Sequence, residues 1–309
     1  MYTPLRPATC QHLPVRALSY HVRSWGQPRP GSVPLVLAHG WMDVSASWQF
    51  VVDALSQGFF EGRHIIAPDW RGFGLTTAPM ACDNYHHVDY LGDLDALLQH
   101  YVPDGGAVDL VGHSMGGHIS MLYAGARPAR IRRLVNLEGF GLTATQPAQA
   151  PGRIAQWLDE LQQCRQGALA LKSYANADEV AQRLRKTNLR LPVDKALWLA
   201  QQWAAPQADG RWAILGDAAH KVINPQLFRV EEALACYAAI TAPVLAVEAA
   251  DDSLASWSKG KYTLEQYHQR LQSVARHRVA CVEDAGHMLH HDQPAAVARL
   301  IEDFCGAGD

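Results

Sequence analysis

The stretch Gly112-His113-Ser114-Met115-Gly116, extended by Gly117, has the residue types and spacing best suited to breaking a bond. A serine hydroxyl attacks an electrophilic carbon only when it is held exposed and a base takes its proton. Here the serine follows the apolar run 107–111 and precedes a helical pattern, which places it at a strand–turn–helix elbow. Such an elbow strains the serine backbone, and Gly112 and Gly116 leave room for strand and helix to approach each other. The Met115 N–H, at the helix start, then points at a developing oxyanion. His39-Gly40-Trp41 directly follows another apolar run, 34–38, and a turn there presents the Trp41 N–H as a second oxyanion donor.

The base expected for Ser114 is His287, in Glu283-Asp284-Ala285-Gly286-His287, on a loop between the last apolar run and a final helix marked by Pro294. A third group must orient the imidazole. Chain order Ser…Asp…His makes Asp252, just after the run 243–249, the expected acid, with Asp251 one position off as an alternative. Glu138 competes, because it ends the run 132–138 at a neighbouring sheet position.

These residues need a scaffold. Strand-like runs at 15–22, 34–39, 64–69, 107–113, 132–138, 243–249 and 276–284 alternate with helical patterns near 45–57, 84–101, 115–127, 262–275 and 293–305. Several runs are continuous Val/Ile/Leu/Ala, as in a mainly parallel sheet covered on both faces. No helix separates the first run from the second, so the first is expected to pair antiparallel at the sheet edge.

From 141 to 229 the alternation stops. A connector rich in small residues and proline, 141–152, leads into amphipathic helices near 153–164, 178–187 and 192–203. A turn at 206–210 and a last helix near 225–240 follow. The expected organisation is a core of 1–140 and 230–309 with a helical cap at 141–229. Trp157, Trp198, Trp203 and Trp212 fall in this cap. Most of them are expected to fill its small core. Trp157, with Trp41, is the candidate to border a substrate where cap meets core.

Composition excludes other classes. Net charge is 27 − 30 = −3, with no basic footprint for nucleic acid. No segment reaches the roughly 18 apolar residues of a membrane span, and the N-terminus lacks a signal-peptide pattern. Six scattered cysteines read as reduced thiols, so a cytoplasmic location is expected. The pairs His86-His87 and His290-His291 have no third ligand at sensible spacing, so no metal is expected, nor any organic cofactor. Asp69-Trp70-Arg71-Gly72-Phe73-Gly74 reads as a demanding turn whose Asp and Arg are structural.

Together, H-G-W, D-W-R-G-F-G, G-H-S-M-G-G and D-A-G-H, in this order, resemble the α/β-hydrolase superfamily across nearly the whole chain. V-N-L-E-G-F-G (135–141) is most similar to its capped, serine-hydrolase-like members. The resemblance implies an α/β fold: a mostly parallel eight-stranded sheet with helices on both faces and a helical cap inserted after strand six. Two departures stand out. E-A-A-D-D-S (248–253) replaces the family's frequent glycine and D-P, which unsettles the acid assignment. Glu138 stands where the related haloalkane dehalogenases carry theirs. Those enzymes and epoxide hydrolases use an aspartate nucleophile, and Ser114 argues against both activities.

The expected function is hydrolysis of a small carboxylic ester through an acyl-enzyme, on an apolar or aromatic small molecule. Carbon–carbon bond hydrolysis of a ring-cleavage diketone, lactonase or perhydrolase activity would use the same groups. A small-molecule receptor that keeps the fold without turnover is the non-enzyme alternative. A homodimer is compatible with the sequence.

Overall fold

The computed structural model describes residues 2–307. Eight strands form one sheet: β1 (Thr9–Val15), β2 (Leu18–Trp25), β3 (Leu35–Ala38), β4 (Ile65–Pro68), β5 (Val108–His113), β6 (Ile131–Leu137), β7 (Val244–Ala249) and β8 (His277–Val282). Their spatial order is β1-β2-β4-β3-β5-β6-β7-β8. β2 pairs antiparallel with β1 and β4, and the remaining pairs are parallel.

The continuous apolar runs became the fully buried strands. Every residue of β3, β4, β5 and β7 is buried, because helices cover both faces. Alternate side chains feed two cores. Val36, Ile66, Leu110 and Leu134 pack with Leu94 and Leu98 of helix His87–Tyr101 and Ile119 of helix Met115–Ala126. Leu35, Leu37, Val111 and Val135 pack with Val51 and Val52 of helix Gln49–Ala54 and Ile301 of helix Pro294–Gly306. Each fully buried side chain of this kind contributes about 1.5–3 kcal/mol.

The first strand run divides differently from the expectation. The chain turns at Arg16, with φ 53°, and β1 precedes the expected strand as the outer half of a hairpin. β1 is mostly exposed and contains Pro14, so it carries no buried-strand pattern and could not be read before its pairing was known.

The segment between β6 and β7 contains helices Ala150–Arg165, Ala177–Thr187 and Val193–Trp203, as expected. It is not purely helical. Ser173–Tyr174, Trp212–Ile214 and Ala204–Pro206 form a small antiparallel sheet, and the turn expected at 206–210 joins the last two of these strands. Strands of two or three residues are too short to show a period. Trp198 packs edge-on against Tyr2 and Phe50, joining this segment to the N-terminal part of the chain. Helix Val230–Ala238 lies instead on helix Met115–Ala126, where a Cβ at Gly125 would stand 2.1 Å from the Cys236 carbonyl oxygen. Among the described residues, no helix is long and apolar enough to cross a membrane.

Candidate active site

Strand order reverses around β3: its successor β4 lies on one side and β5 on the other. The crevice beyond the carboxyl ends of β3 and β5 is where open α/β sheets bind ligands. Ser114 ends β5 and His39-Gly40-Trp41 ends β3, with Ala38 paired to Gly112.

Ser114 has φ 51° and ψ −116°, the strained elbow expected from its neighbours. The glycines are required by close approach. A Cβ at Gly112 would lie 2.5 Å from the Gly116 carbonyl oxygen, and one at Gly116 would lie 2.4 Å from that of Ala38. The Ser114 N–H donates to the Leu137 carbonyl at 2.8 Å, locking the elbow to β6. Met115 is the first residue of its helix, where an N–H has no intrahelical acceptor. The Trp41 N–H likewise has no backbone acceptor among the described residues.

The β3 loop is fixed from below by His39, which is fully buried. The Trp70 N–H donates to His39 Nε2 at 2.8 Å, so Nδ1 carries the proton and donates to the Gly40 carbonyl at 2.7 Å. Burial, the largest influence, lowers the His39 pKa, in keeping with this neutral tautomer. Asp69 and Arg71 are structural, as expected. Asp69 accepts from the Ser45 and Leu75 N–H groups and pairs with His21 at 2.7 Å. Arg71 grips Asp93 in two bonds of 2.6 and 2.7 Å.

His287 Nε2 lies 3.0 Å from Ser114 Oγ. Its Nδ1 donates to Glu138 Oε2 at 3.3 Å, which leaves Nε2 free to accept the serine proton. The imidazole side chain is 44% exposed while Glu138 is buried. Glu138 has φ 55°, accepts from the Ala249 N–H at 2.8 Å, and also accepts from the Ser253 hydroxyl.

The carboxylate beside His287 is thus that of Glu138, not of Asp252. Asp252 is the N-cap of helix Ser253–Ser258, and its carboxylate accepts from the Ala255 N–H at 2.8 Å. Asp251 is exposed and pairs with Arg190 of the cap at 2.7 Å. The reason is sheet order. Glu138 directly follows β6, the immediate neighbour of β5, whereas the turn after β7 is one strand farther away and spends its carboxylates on a helix N-cap and an ion pair with Arg190. Trp157 is engaged by Asn84, to whose Oδ1 its Nε1 donates at 3.2 Å, tying the cap to the 81–86 loop. Trp41 is 54% exposed at the crevice.

Sequence reading missed four supports. Ser253 and the Ala249 N–H hold Glu138, and only the position after Asp252 hinted at the first. His113, the variable residue of the elbow motif, donates from Nε2 to the His287 carbonyl at 2.7 Å. Burial, reinforced by neighbouring imidazoles, holds the His113 pKa well below its usual range. The base loop is pinned further by the Gly286 N–H, which donates to Asp292 at 2.9 Å.

Over 110 residues the chain is 41% identical to epoxide hydrolase 2 of Siraitia grosvenorii, covering 35% of this chain and 33% of that protein. It is 36% identical over 113 residues to 2-hydroxy-6-oxo-2,4-heptadienoate hydrolase of Pseudomonas putida, covering 36% of this chain and 38% of that one. These matches thus span little more than a third of either relative. A serine hydrolase-like protein of Danio rerio is 24% identical over 307 residues, covering 98% of this chain and 90% of that protein. The solved thioesterase domain from the curacin biosynthetic pathway shares the fold, with TM-score 0.79 at 23% identity, covering 96% of this chain and 99% of that domain. The family model described as alpha/beta hydrolase fold matches residues 33–294, from just before β3 to the first residue of the last helix. On that match, and on the sheet order that carries it, the chain belongs to the α/β-hydrolase fold family.

Proposed function

We propose that this chain is a serine hydrolase that cleaves a small carboxylic ester through an acyl-enzyme. The observation that carries the reading is the unbroken relay from Ser114 Oγ through His287 to a buried glutamate. His287 Nε2 takes the serine proton as Oγ bonds to the carbonyl carbon. Glu138 holds the tautomer in which Nε2 is the acceptor and stabilises the imidazolium that forms. The tetrahedral oxyanion is received by the N–H groups of Met115 and Trp41. Collapse expels the alcohol, which takes the proton from His287. Water, deprotonated by the same imidazole, then attacks the acyl carbon, and the acid leaves as Ser114 is regenerated.

The half-exposed indole of Trp41 beside the crevice supports an apolar or aromatic substrate group. The partial match to a 2-hydroxy-6-oxo-2,4-heptadienoate hydrolase favours a second reading, carbon–carbon bond hydrolysis of a diketone by the same groups. Epoxide opening is disfavoured despite the partial match to such an enzyme. Serine attack on an epoxide would leave an ether with no acyl carbon for water to attack.

The test is intact-mass labelling with a fluorophosphonate, followed by turnover assays on p-nitrophenyl esters and on a vinylogous diketone. Single labelling at Ser114 with ester turnover is the expected result. Labelling with turnover of the diketone alone would favour the second reading. A folded protein that resists labelling would overturn both.

A further inference from the structure

The pair His290-His291 lacks a third metal ligand in the sequence, but the fold supplies one from the opposite end of the chain. Asp43 sits on the loop after β3, two residues beyond Trp41, and the ligand atoms of Asp43, His290 and His291 lie within 4.8 Å of one another. All three side chains are buried, at 5%, 1% and 3% exposure. They are also short of partners. Asp43 Oδ1 accepts from the Ser47 hydroxyl, but Oδ2 has no hydrogen bond, nor has either ring nitrogen of His290 or Nε2 of His291. His290 Nε2 stands 3.8 Å from Asp43 Oδ2, too long for a hydrogen bond.

A buried carboxylate oxygen without a donor is costly, and unpaired imidazole nitrogens beside it add to the deficit. One cation coordinated by all three groups would satisfy one ligand atom of each at once. We propose that Asp43, His290 and His291 form a binding site for one divalent transition-metal ion, with Zn²⁺ the best match. Two imidazoles and a carboxylate suit Zn²⁺ and its first-row neighbours better than the all-oxygen shells of Ca²⁺ or Mg²⁺. Bonds of ~2.0–2.1 Å in a tetrahedral shell set ligand atoms ~3.3 Å apart, so ligand atoms within 4.8 Å of one another need to close by no more than about 1.5 Å.

The site lies one imidazole away from His287: the His113 ring is centred 4.9 Å from that of His287 and 4.3 Å from that of His290. A bound ion would therefore tie the Trp41 loop to the His287 loop from behind, a structural role that involves neither Ser114 nor substrate.

The experiment uses the full chain, stripped with a chelator and refolded or incubated with Zn²⁺ or Co²⁺, then desalted. The expected result is about one ion retained per chain, a melting temperature raised by several degrees, and Co²⁺ d–d absorption of a low-symmetry nitrogen/oxygen site. X-ray absorption on the Zn²⁺ form should show nitrogen and oxygen scatterers only, at ~2.0–2.1 Å. Asp43→Asn and His291→Gln should each weaken binding at least about tenfold. The proposal fails if folded wild type retains no ion, since a buried water would then be the occupant. It also fails if both variants fold and bind as wild type does, or if absorption shows sulfur in the shell. Labelling of Ser114 is measured separately, so this result and the hydrolase reading stand or fall independently.

Discussion

Replacing Glu138 by Gln changes one atom and should nearly silence the enzyme, because the surroundings dictate how the amide must sit. One carboxylate oxygen receives the main-chain N–H of Ala249 at 2.8 Å, a donor that cannot rotate away. The amide oxygen must take that place. Its NH₂ then occupies the position of Oε2, where His287 Nδ1 now donates at 3.3 Å. Two donors cannot face each other, so the imidazole shifts its proton to Nε2, the atom that must accept from Ser114. The Ser253 hydroxyl can turn to accept from the new amide, so the fold should survive. A wrong-tautomer substitution of this kind lowers kcat by about 10⁴ in the serine-protease triad, and we expect a loss of about 10³–10⁴ here. Asp252→Asn retains a good helix N-cap and should leave kcat within about twofold of wild type. Steady-state turnover of a p-nitrophenyl ester, with the rate of fluorophosphonate labelling as a second readout, separates the two. Glu138→Gln within tenfold of wild type, with Asp252→Asn strongly impaired, would refute the reasoning and restore Asp252 as the acid.

Three further outcomes are expected. Ser114→Ala should abolish labelling and turnover while shifting the melting temperature by no more than a few degrees, since Ala leaves the elbow backbone unchanged; residual turnover near wild type would exclude Ser114 as nucleophile. Gly116→Ala should destabilise the fold by about 3 kcal/mol or more, measured by denaturant unfolding, because its Cβ would stand 2.4 Å from a backbone oxygen that cannot retreat. Burial opposes a charged His21, yet its hydrogen bond to Asp69, the neighbouring Cys10 thiol and the charge of Asp69 lift it to about 9. Because that folded value lies above the unfolded one, the pair's contribution is complete below about pH 6.5 and fades as pH rises through about 9. The melting-temperature gap between wild type and His21→Gln should therefore be wider at pH 6 than at pH 10, and a constant gap would mean that His21 is neutral in the fold.

What the sequence determined by itself is whatever depends on neighbours along the chain. The elbow was legible because its glycines flank the serine within five residues, between an apolar run and a helical pattern, although the demand Gly116 answers comes from Ala38 on β3; the buried parallel strands were legible because burial on both faces leaves a continuous apolar run. The His287 loop could be found from its place between the last strand and the last helix. Strand β1 and the cap's small sheet were not legible, since an exposed edge strand and strands of two or three residues leave no periodic signal. Which carboxylate meets His287 was undecidable for a related reason: Asp252, Asp251 and Glu138 are each a carboxylate at a strand end, and only the order β5-β6-β7, with one turn already committed to a helix cap and to Arg190, brings Glu138 there. The Asp43–His290–His291 cluster lies further still from sequence reading. Nothing along the chain joins Asp43 to the adjacent pair His290-His291, and they come together because the segments after β3 and β8 meet in the fold.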